Sequence, residues 1–370
     1  MTTSESSVLR PLGVGQILDR AVRLYRRNFA TFIGIIAVML VPLSAIQLAF
    51  SILNVPKSLE AVEQFSQLNR SPNPLLTYMQ ALSSSTGGGA TIVVGLLSFV
   101  LVQCLATAAL VRTVGNSYLG EKLGVFEAYG RSTRTWLALF LALVVGSFLL
   151  IGILIFMIIP CIGWLFGPGL LFYFTTVIYQ LIPVVLVLEN KGVGGSIRRA
   201  WDLVRRRFWW VLGFVMLLAL FSYLVVAGPA TLINLGMAAL LGSVLPINDP
   251  ATALTVRTVV SQVTTLLLQL AYLPLQTTAI ILMYFDLRIR TEGFDLSVMA
   301  AEEQAKPETP PNVEEIIAQA PPPARDSIIT GNELLYFAGV TIGAFALFAV
   351  VYGLLIMFFL MIGLSLSNQF

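Results

Sequence analysis

The chain has 370 residues, 57% of them hydrophobic and only 11% charged, with a net charge of +3. Its mean hydropathy is +0.87, and a soluble domain carries roughly 25% charged residues, so this chain cannot clothe a water-facing surface and an integral membrane protein is the class that fits. It lacks histidine, and its two cysteines, Cys104 and Cys161, have no metal-like neighbours at short spacing; that removes the commonest general base, the usual catalytic triads, disulfide frameworks and zinc sites.

The first readable element is a basic amphipathic segment from Gly13 to Phe29. Val14, Ile17/Leu18, Ala21 and Tyr25 recur at three- and four-residue intervals, with Arg20, Arg23 and Arg27 opposite, which predicts a helix. It runs into a first predicted span, about Phe29 to Leu53. The Arg26-Arg27-Asn28-Phe29 junction resembles a twin-arginine export signal, but a similar arrangement recurs internally at Arg205 to Phe208. The apolar run is also too long for a signal-peptide core and has no clear cleavage site, so it reads as an uncleaved span. A polar loop, Asn54 to Gly89, follows, with room for one surface helix over Ala61 to Leu68. The second span is about Ala90 to Val114.

A second, weaker basic segment follows: Gly124, Val125, Arg131 and Arg134 align with Gly13, Val14, Arg20 and Arg23. The third span is about Trp136 to Ile159 and the fourth about Trp164 to Leu188. The third basic segment, Gly192 to Phe208, matches the first without gaps at Gly13/Gly192, Val14/Val193, Gly15/Gly194, Arg20/Arg199, Ala21/Ala200, Leu24/Leu203, Arg26/Arg205, Arg27/Arg206 and Phe29/Phe208. Its apolar stripe is Val193, Ile197, Ala200/Trp201, Val204 and Phe208, and Arg198, Arg199, Asp202, Arg205 and Arg206 fall on the other face. The fifth span runs from Trp209 to Leu245, interrupted at Gly228-Pro229, the sixth from Thr258 to Tyr284, and the seventh from Leu334 to Leu364. Each is long enough to cross a bilayer.

The expected fold is therefore all-α: a polytopic transmembrane helical bundle of three repeats, each an amphipathic interfacial helix plus two spans, with one extra C-terminal span. Residues 1–300 form the six-span membrane domain, 301–331 a flexible Pro- and Glu-rich linker that cannot bury a core, and 332–370 a single C-terminal helix. Nineteen of the 22 Lys and Arg residues fall on one side, leaving Lys57, Arg70 and Arg257 on the other. By the positive-inside rule the N-terminus is cytoplasmic and the C-terminus outside.

Two sets of residues are candidates for function. The first is the basic set Arg20, Arg23, Arg27, Arg131, Arg134, Arg198, Arg199 and Arg206. On helices lying in the interface, these would meet anionic lipid headgroups or a protein partner; alternatively they only set topology and anchor the chain. The glycines that open these helices lack the spacing and the preceding strand of a nucleotide loop. The second set is Gln47, Gln103, Gln180, Gln269 and Gln276 inside the spans, which would line a polar path, hold a headgroup or bond between helices. Intramembrane ionisable residues are otherwise scarce; Arg112 and Asp286 sit near span ends, where snorkelling suffices. Pro42, Pro168, Pro183, Pro229 and Pro274 predict kinks, and Gly163-x-x-x-Gly167 predicts close helix packing.

Three stretches together resemble a known family. Pro11-Leu12 to Phe29, Pro183 to Glu189 leading into Ser196 to Trp210, and Tyr284 to Arg290 with Glu292 to Leu296 are similar to the signatures of the glycerophosphoryl diester phosphodiesterase membrane domain of bacterial proteins. The resemblance covers about residues 8 to 300 and implies a helical membrane module. The phosphodiesterase activity of such proteins belongs to a separate barrel with catalytic histidines, for which this chain has neither histidines nor room. The sequence thus predicts a non-enzymatic membrane anchor, scaffold or regulator with no cofactor. Its expected partners are membrane lipids and another membrane or cytoplasmic protein, not nucleic acid. An uncoupled permease or lipid-handling protein is the alternative.

Overall fold

The computed structural model describes residues 11–66, 89–121, 123–133, 135–243, 249–304 and 330–367, and these are helical with short connections and no strand. Seven helices are long and apolar enough to cross a membrane: α2 (Phe29–Leu53), α4 (Ile92–Tyr118), α6 (Trp136–Phe156), α7 (Ile162–Glu189), α9 (Phe208–Leu240), α10 (Pro250–Glu292) and α12 (Gly331–Val350, continuing to Ser367). Between them lie α1 (Val14–Arg27), α3 (Val55–Ser66), α5 (Val125–Ser132), α8 (Val193–Arg205) and α11 (Phe294–Gln304). The chain is an all-α polytopic bundle. The linker from 305 to 329 lies outside the described residues, as do Arg70 and Arg134.

The even-numbered spans α4, α7 and α10 are the heart of the molecule. α10 has 43 residues, about 64 Å at 1.5 Å per residue, roughly twice the 30 Å of a bilayer core. The expected end at Tyr284 is therefore corrected to Glu292: hydropathy drops at Asp286, but the helix continues because its charges find partners. Almost every residue of 104–116, 177–189 and 278–289 is buried, the pattern of a helix enclosed on all sides. These three stretches converge. Gly115 of α4 leaves room for Leu188 of α7, where a Cβ would come within 2.7 Å. Tyr118 stacks on Phe285 with centroids 5.1 Å apart, and the Tyr284 hydroxyl donates to Glu189 at 2.8 Å.

The amphipathic helices sheath this three-helix core. α8 doubles back along α7: it starts four residues after Glu189, and Phe208, just beyond its far end, stacks on Tyr173 at 4.1 Å. α1 runs antiparallel along α10, with Leu12 held by Asp286 and the Tyr25 hydroxyl donating to the Ala271 carbonyl at 2.9 Å. α5 returns along α4, its Arg131 carbonyl accepting from Arg112 at 2.7 Å, while Tyr129 reaches the Ile35 carbonyl. The apolar stripes expected to lie in the lipid interface are instead used against protein. Ile17, Ala21 and Tyr25 are 0–8% exposed and Ala200, Leu203 and Val204 at most 1%.

Around the core, α2 sits against α4 and α10, α6 against α4 and α7, and α9 against α10 and α7. The surface helix read at Ala61 to Leu68 is seen as Val55–Ser66, packed on α2 and α10. Gly228-Pro229 does not interrupt the fifth span: a π-helical turn, Tyr223–Ala227, precedes it and the helix continues to Ser243. Similar π turns at Phe99–Ala106 and Phe174–Ile178 lie where α4 and α7 enter the core; such turns absorb the register change when a helix must satisfy two sets of neighbours. Gly163 and Gly167 let α7 close on Phe156 and Met157 at the end of α6. Two residues on, Gly169 admits the main chain of α12 at Phe337, and its amide donates to Thr341 Oγ1 at 2.8 Å.

Candidate functional site

The charged residues of the basic end form three buried constellations rather than a uniform surface. In the first, Glu189, Arg199, Tyr284, Arg288 and Glu292 lock α7, α8 and α10 together. Arg199 Nε lies 3.2 and 3.1 Å from the two carboxylate oxygens of Glu189, and its Nη1 and Nη2 reach Glu292 at 2.5 and 2.6 Å. Arg288 donates to Glu292 at 3.2 Å and to the Tyr284 hydroxyl at 3.2 Å, with its guanidinium 4.3 Å over the Phe294 ring. Lys191 Nζ adds a contact to Glu189 at 3.2 Å from the rim. Two carboxylates therefore face two guanidinium groups with every member bonded, the condition under which buried ions are tolerated. Burial depresses the Arg199 pKa, yet the Glu292 hydrogen bond and the charges of Glu189 and Glu292 outweigh it and hold the guanidinium above its ordinary value.

The second constellation reads main chain. Asp286, 1% exposed, accepts from the Leu12 amide at 2.7 Å and from Arg290 Nε at 2.8 Å, and Arg290 Nη2 donates to the Leu12 carbonyl at 2.7 Å. Snorkelling was expected for Asp286; the structure instead makes it one jaw of a clamp on the start of α1. The third ties α12 to α8: Arg205 lies 3.2 Å from Glu333 and 3.5 Å from Asp202, and Glu333 also accepts from the Thr330 amide at 2.7 Å. The seventh span, read as standing outside the pattern, is therefore docked to it at both Glu333 and Gly169.

The sequence-selected arginines divide accordingly. Arg23, Arg27, Arg198 and Arg206 are exposed, Arg23 pairing with Asp19 one turn back and Arg206 reaching the Thr291 carbonyl at 3.4 Å. Arg20 is half-buried and donates to the Tyr118 hydroxyl at 3.3 Å. Arg131 bonds Glu121 and Glu127 at 3.2 and 2.8 Å. Arg199 departs from the expectation outright: it is 5% exposed and faces inward. On a helical wheel it borders the apolar stripe, and the two glutamates beside that stripe draw the helix round so that Ser196, Arg199 and Leu203 are buried while Val193 and Ile197 are only half so.

A local signal for this lock was present. Gly13, Gly124 and Gly192 each cap their helix with extended backbone (ψ 160, 160 and 167°), and each has an arginine seven residues on: Arg20, Arg131 and Arg199. Two of the three also have a glutamate three residues before the glycine, and it is this glutamate, Glu121 or Glu189, that the arginine meets. Glu292, Arg288 and Asp286 carried no such local mark.

The glutamines are not gathered into one site by hydrogen bonds. Gln47 donates to Ser98 at 2.9 Å, joining α2 to α4; a further glutamine with no mark in the sequence, Gln262 of α10, donates to Ser51 of α2 at 2.7 Å. Gln103 is exposed, Gln180 has a buried carbonyl oxygen without a partner, and Gln269 and Gln276 are half-buried. No group of three or more metal-ligating side chains occurs among the described residues. No protein-family model, curated protein or solved structure matches the chain.

Proposed function

We propose that this chain is a non-enzymatic multi-pass membrane protein that serves as a scaffold, its basic end facing the cytoplasm of a bacterial plasma membrane and holding anionic headgroups or a partner's acidic surface. The observation that carries this reading is the division of labour among the arginines. Arg199 and Arg288 are buried in the closure of the core, whereas Arg23, Arg26, Arg27, Arg198 and Arg206 lie exposed on its outer rim beside two exposed aromatics that start spans, Phe29 and Trp209, 50% and 53% exposed. Aromatic rings at a span end with cations just beyond are the composition of a headgroup layer, and each such cation contributes about 1 kcal/mol near an anionic surface. The convergent ends of α4, α7 and α10 are filled by side chains, which favours a scaffold over a through-pore. The resemblance to the phosphodiesterase membrane domain agrees with this reading and rests on the residues quoted for it alone.

The test is lipid retention. Protein with Arg23, Arg26, Arg27, Arg198 and Arg206 replaced by glutamine is purified in mild detergent from membranes containing phosphatidylglycerol, and bound lipid is weighed by native mass spectrometry. At least a tenfold loss of bound anionic lipid, with melting unchanged, is the expected result. Retention equal to that of the parent protein would sink the headgroup role.

A further inference from the structure

The half of the bundle away from the basic end is built differently from the core. Among the described residues, α10 has no buried side chain before Tyr272, α9 none after Leu218, α4 none from Ile92 to Gln103, and α2 none after Leu43. Yet α10 carries a stripe of uncharged polar residues here. Thr255, Thr258, Gln262, Thr265, Gln269 and Gln276 recur at intervals of three, four, three, four and seven, which confines them to an arc of about 80° at 100° per residue. Val263 and Leu267, 43% and 62% exposed, lie on the opposite face, about 160° from the centre of that arc for Leu267.

The direction of the arc is fixed by two bonds, one from within it and one from just beyond its edge. Gln262 bonds Ser51 of α2 at 2.7 Å, and Tyr272 donates to the Leu218 carbonyl of α9 at 2.7 Å. The arc between these neighbours looks into the bundle, and Leu267 looks out at lipid. All six stripe residues are half-buried, neither packed nor free. Thr258 and Thr265 give their protons to carbonyls one turn back and keep their oxygen lone pairs. Gln269 and Gln276 make no hydrogen bond among the described residues. Gln269 and Gln276 are half-buried, and an amide left dry and unpaired costs roughly 2–7 kcal/mol, so these two side chains call for a polar occupant.

We infer that the far half of the bundle holds a polar vestibule, floored by the three-helix core, that binds a neutral polyhydroxylated group, either the sugar head of a glycolipid or a free sugar. Hydroxyls and amides offer the alternating donors and acceptors that a sugar ring presents. The arc carries no charge, so nothing there offsets the desolvation of an ionic group. This goes beyond the scaffold reading and does not rest on it, since glutamine substitution of the basic rim leaves the stripe untouched.

Single cysteines at Thr258, Thr265, Gln269 and Leu267 in a background with Cys104→Ala and Cys161→Ser, in lipid nanodiscs, test it with a membrane-impermeant maleimide. Expected is labelling at Thr258→Cys, Thr265→Cys and Gln269→Cys at least tenfold faster than at Leu267→Cys, each variant melting within a few degrees of the background. Slowing of the Gln269→Cys reaction by diglucosyl diacylglycerol in the disc and not by millimolar maltose assigns a lipid-borne head; slowing by maltose assigns a free sugar. No slowing by either overturns the ligand assignment. Labelling of the stripe no faster than Leu267→Cys overturns the vestibule itself.

Discussion

Arg199→Met tests the buried lock most directly. The substitution keeps the length of the aliphatic stem and removes the guanidinium that joins Glu189, whose side chain is fully buried, to Glu292, whose side chain is 10% exposed. Removing one member of a buried ion pair costs about 3–5 kcal/mol because the partner stays charged and desolvated. Here Arg288 still reaches Glu292 and Lys191 still reaches Glu189, which places the loss near the lower bound, about 3 kcal/mol. At about 2 °C per kcal/mol for a chain of this size, melting falls by about 6 °C. A fluorogenic maleimide supplies the assay: Cys104 is buried and reports core opening once the exposed Cys161 is replaced by serine. The neighbouring Arg198→Met, on the exposed face, serves as the comparison, since surface ion pairs contribute at most about 1 kcal/mol. Adding Glu189→Gln to Arg199→Met restores part of the loss by removing a stranded charge, a coupling of about 0.5–3 kcal/mol. Equal melting of Arg199→Met and Arg198→Met would refute the reasoning, as would further loss in the double variant.

Two other perturbations act on the remaining constellations. Asp286→Leu removes a charged acceptor shared by the Leu12 amide and Arg290, a loss of about 1.5–3 kcal/mol per charged hydrogen bond; tryptic cleavage between Arg20 and Arg27 in detergent is expected to accelerate at least tenfold, and an unchanged rate argues against the clamp. Gly169→Leu drives a side chain into the Phe337 carbonyl and Thr341 Oγ1, so hydrogen exchange over Gly331–Phe345 is expected to rise at least tenfold while exchange in 278–289 stays slow; protection retained at Gly331–Phe345 contradicts the docking described for α12.

What the sequence discloses and what it hides follow from the range of the forces involved. Phe29–Leu53 was legible to the residue because a span bounded by Arg27 and Asn54 is decided by local polarity alone. The glycine openings at Gly13, Gly124 and Gly192 were equally local. The inward turn of Arg199 was not legible: one of its partners is ten residues behind and the other 93 ahead, and an arginine at the border of an apolar stripe reads as surface until those partners are placed. The length of α10 was hidden for the same reason, since Asp286, Arg288 and Arg290 signal an end to hydropathy while their buried bonds permit the helix to continue. The polar stripe of α10 is half visible: Gln269 and Gln276 stand out, but Thr255, Thr258 and Thr265 before them do not, because threonine is common in spans, and only the bonds of Gln262 and Tyr272 fix which way the stripe faces.

The clamp on Leu12 also dictates an order of assembly. Its two jaws, Asp286 and Arg290, recognise an amide and a carbonyl that are 274 and 278 residues earlier in the chain. At a synthesis rate of roughly 5–20 residues per second, α1 leaves the ribosome some 14 to 55 s before its docking groove exists. During that interval its apolar stripe of Ile17, Ala21 and Tyr25 lacks the face of α10 that covers it in the finished fold. The helix therefore docks on α10 late in synthesis, and its bonds to Leu12 form only once Asp286 and Arg290 exist.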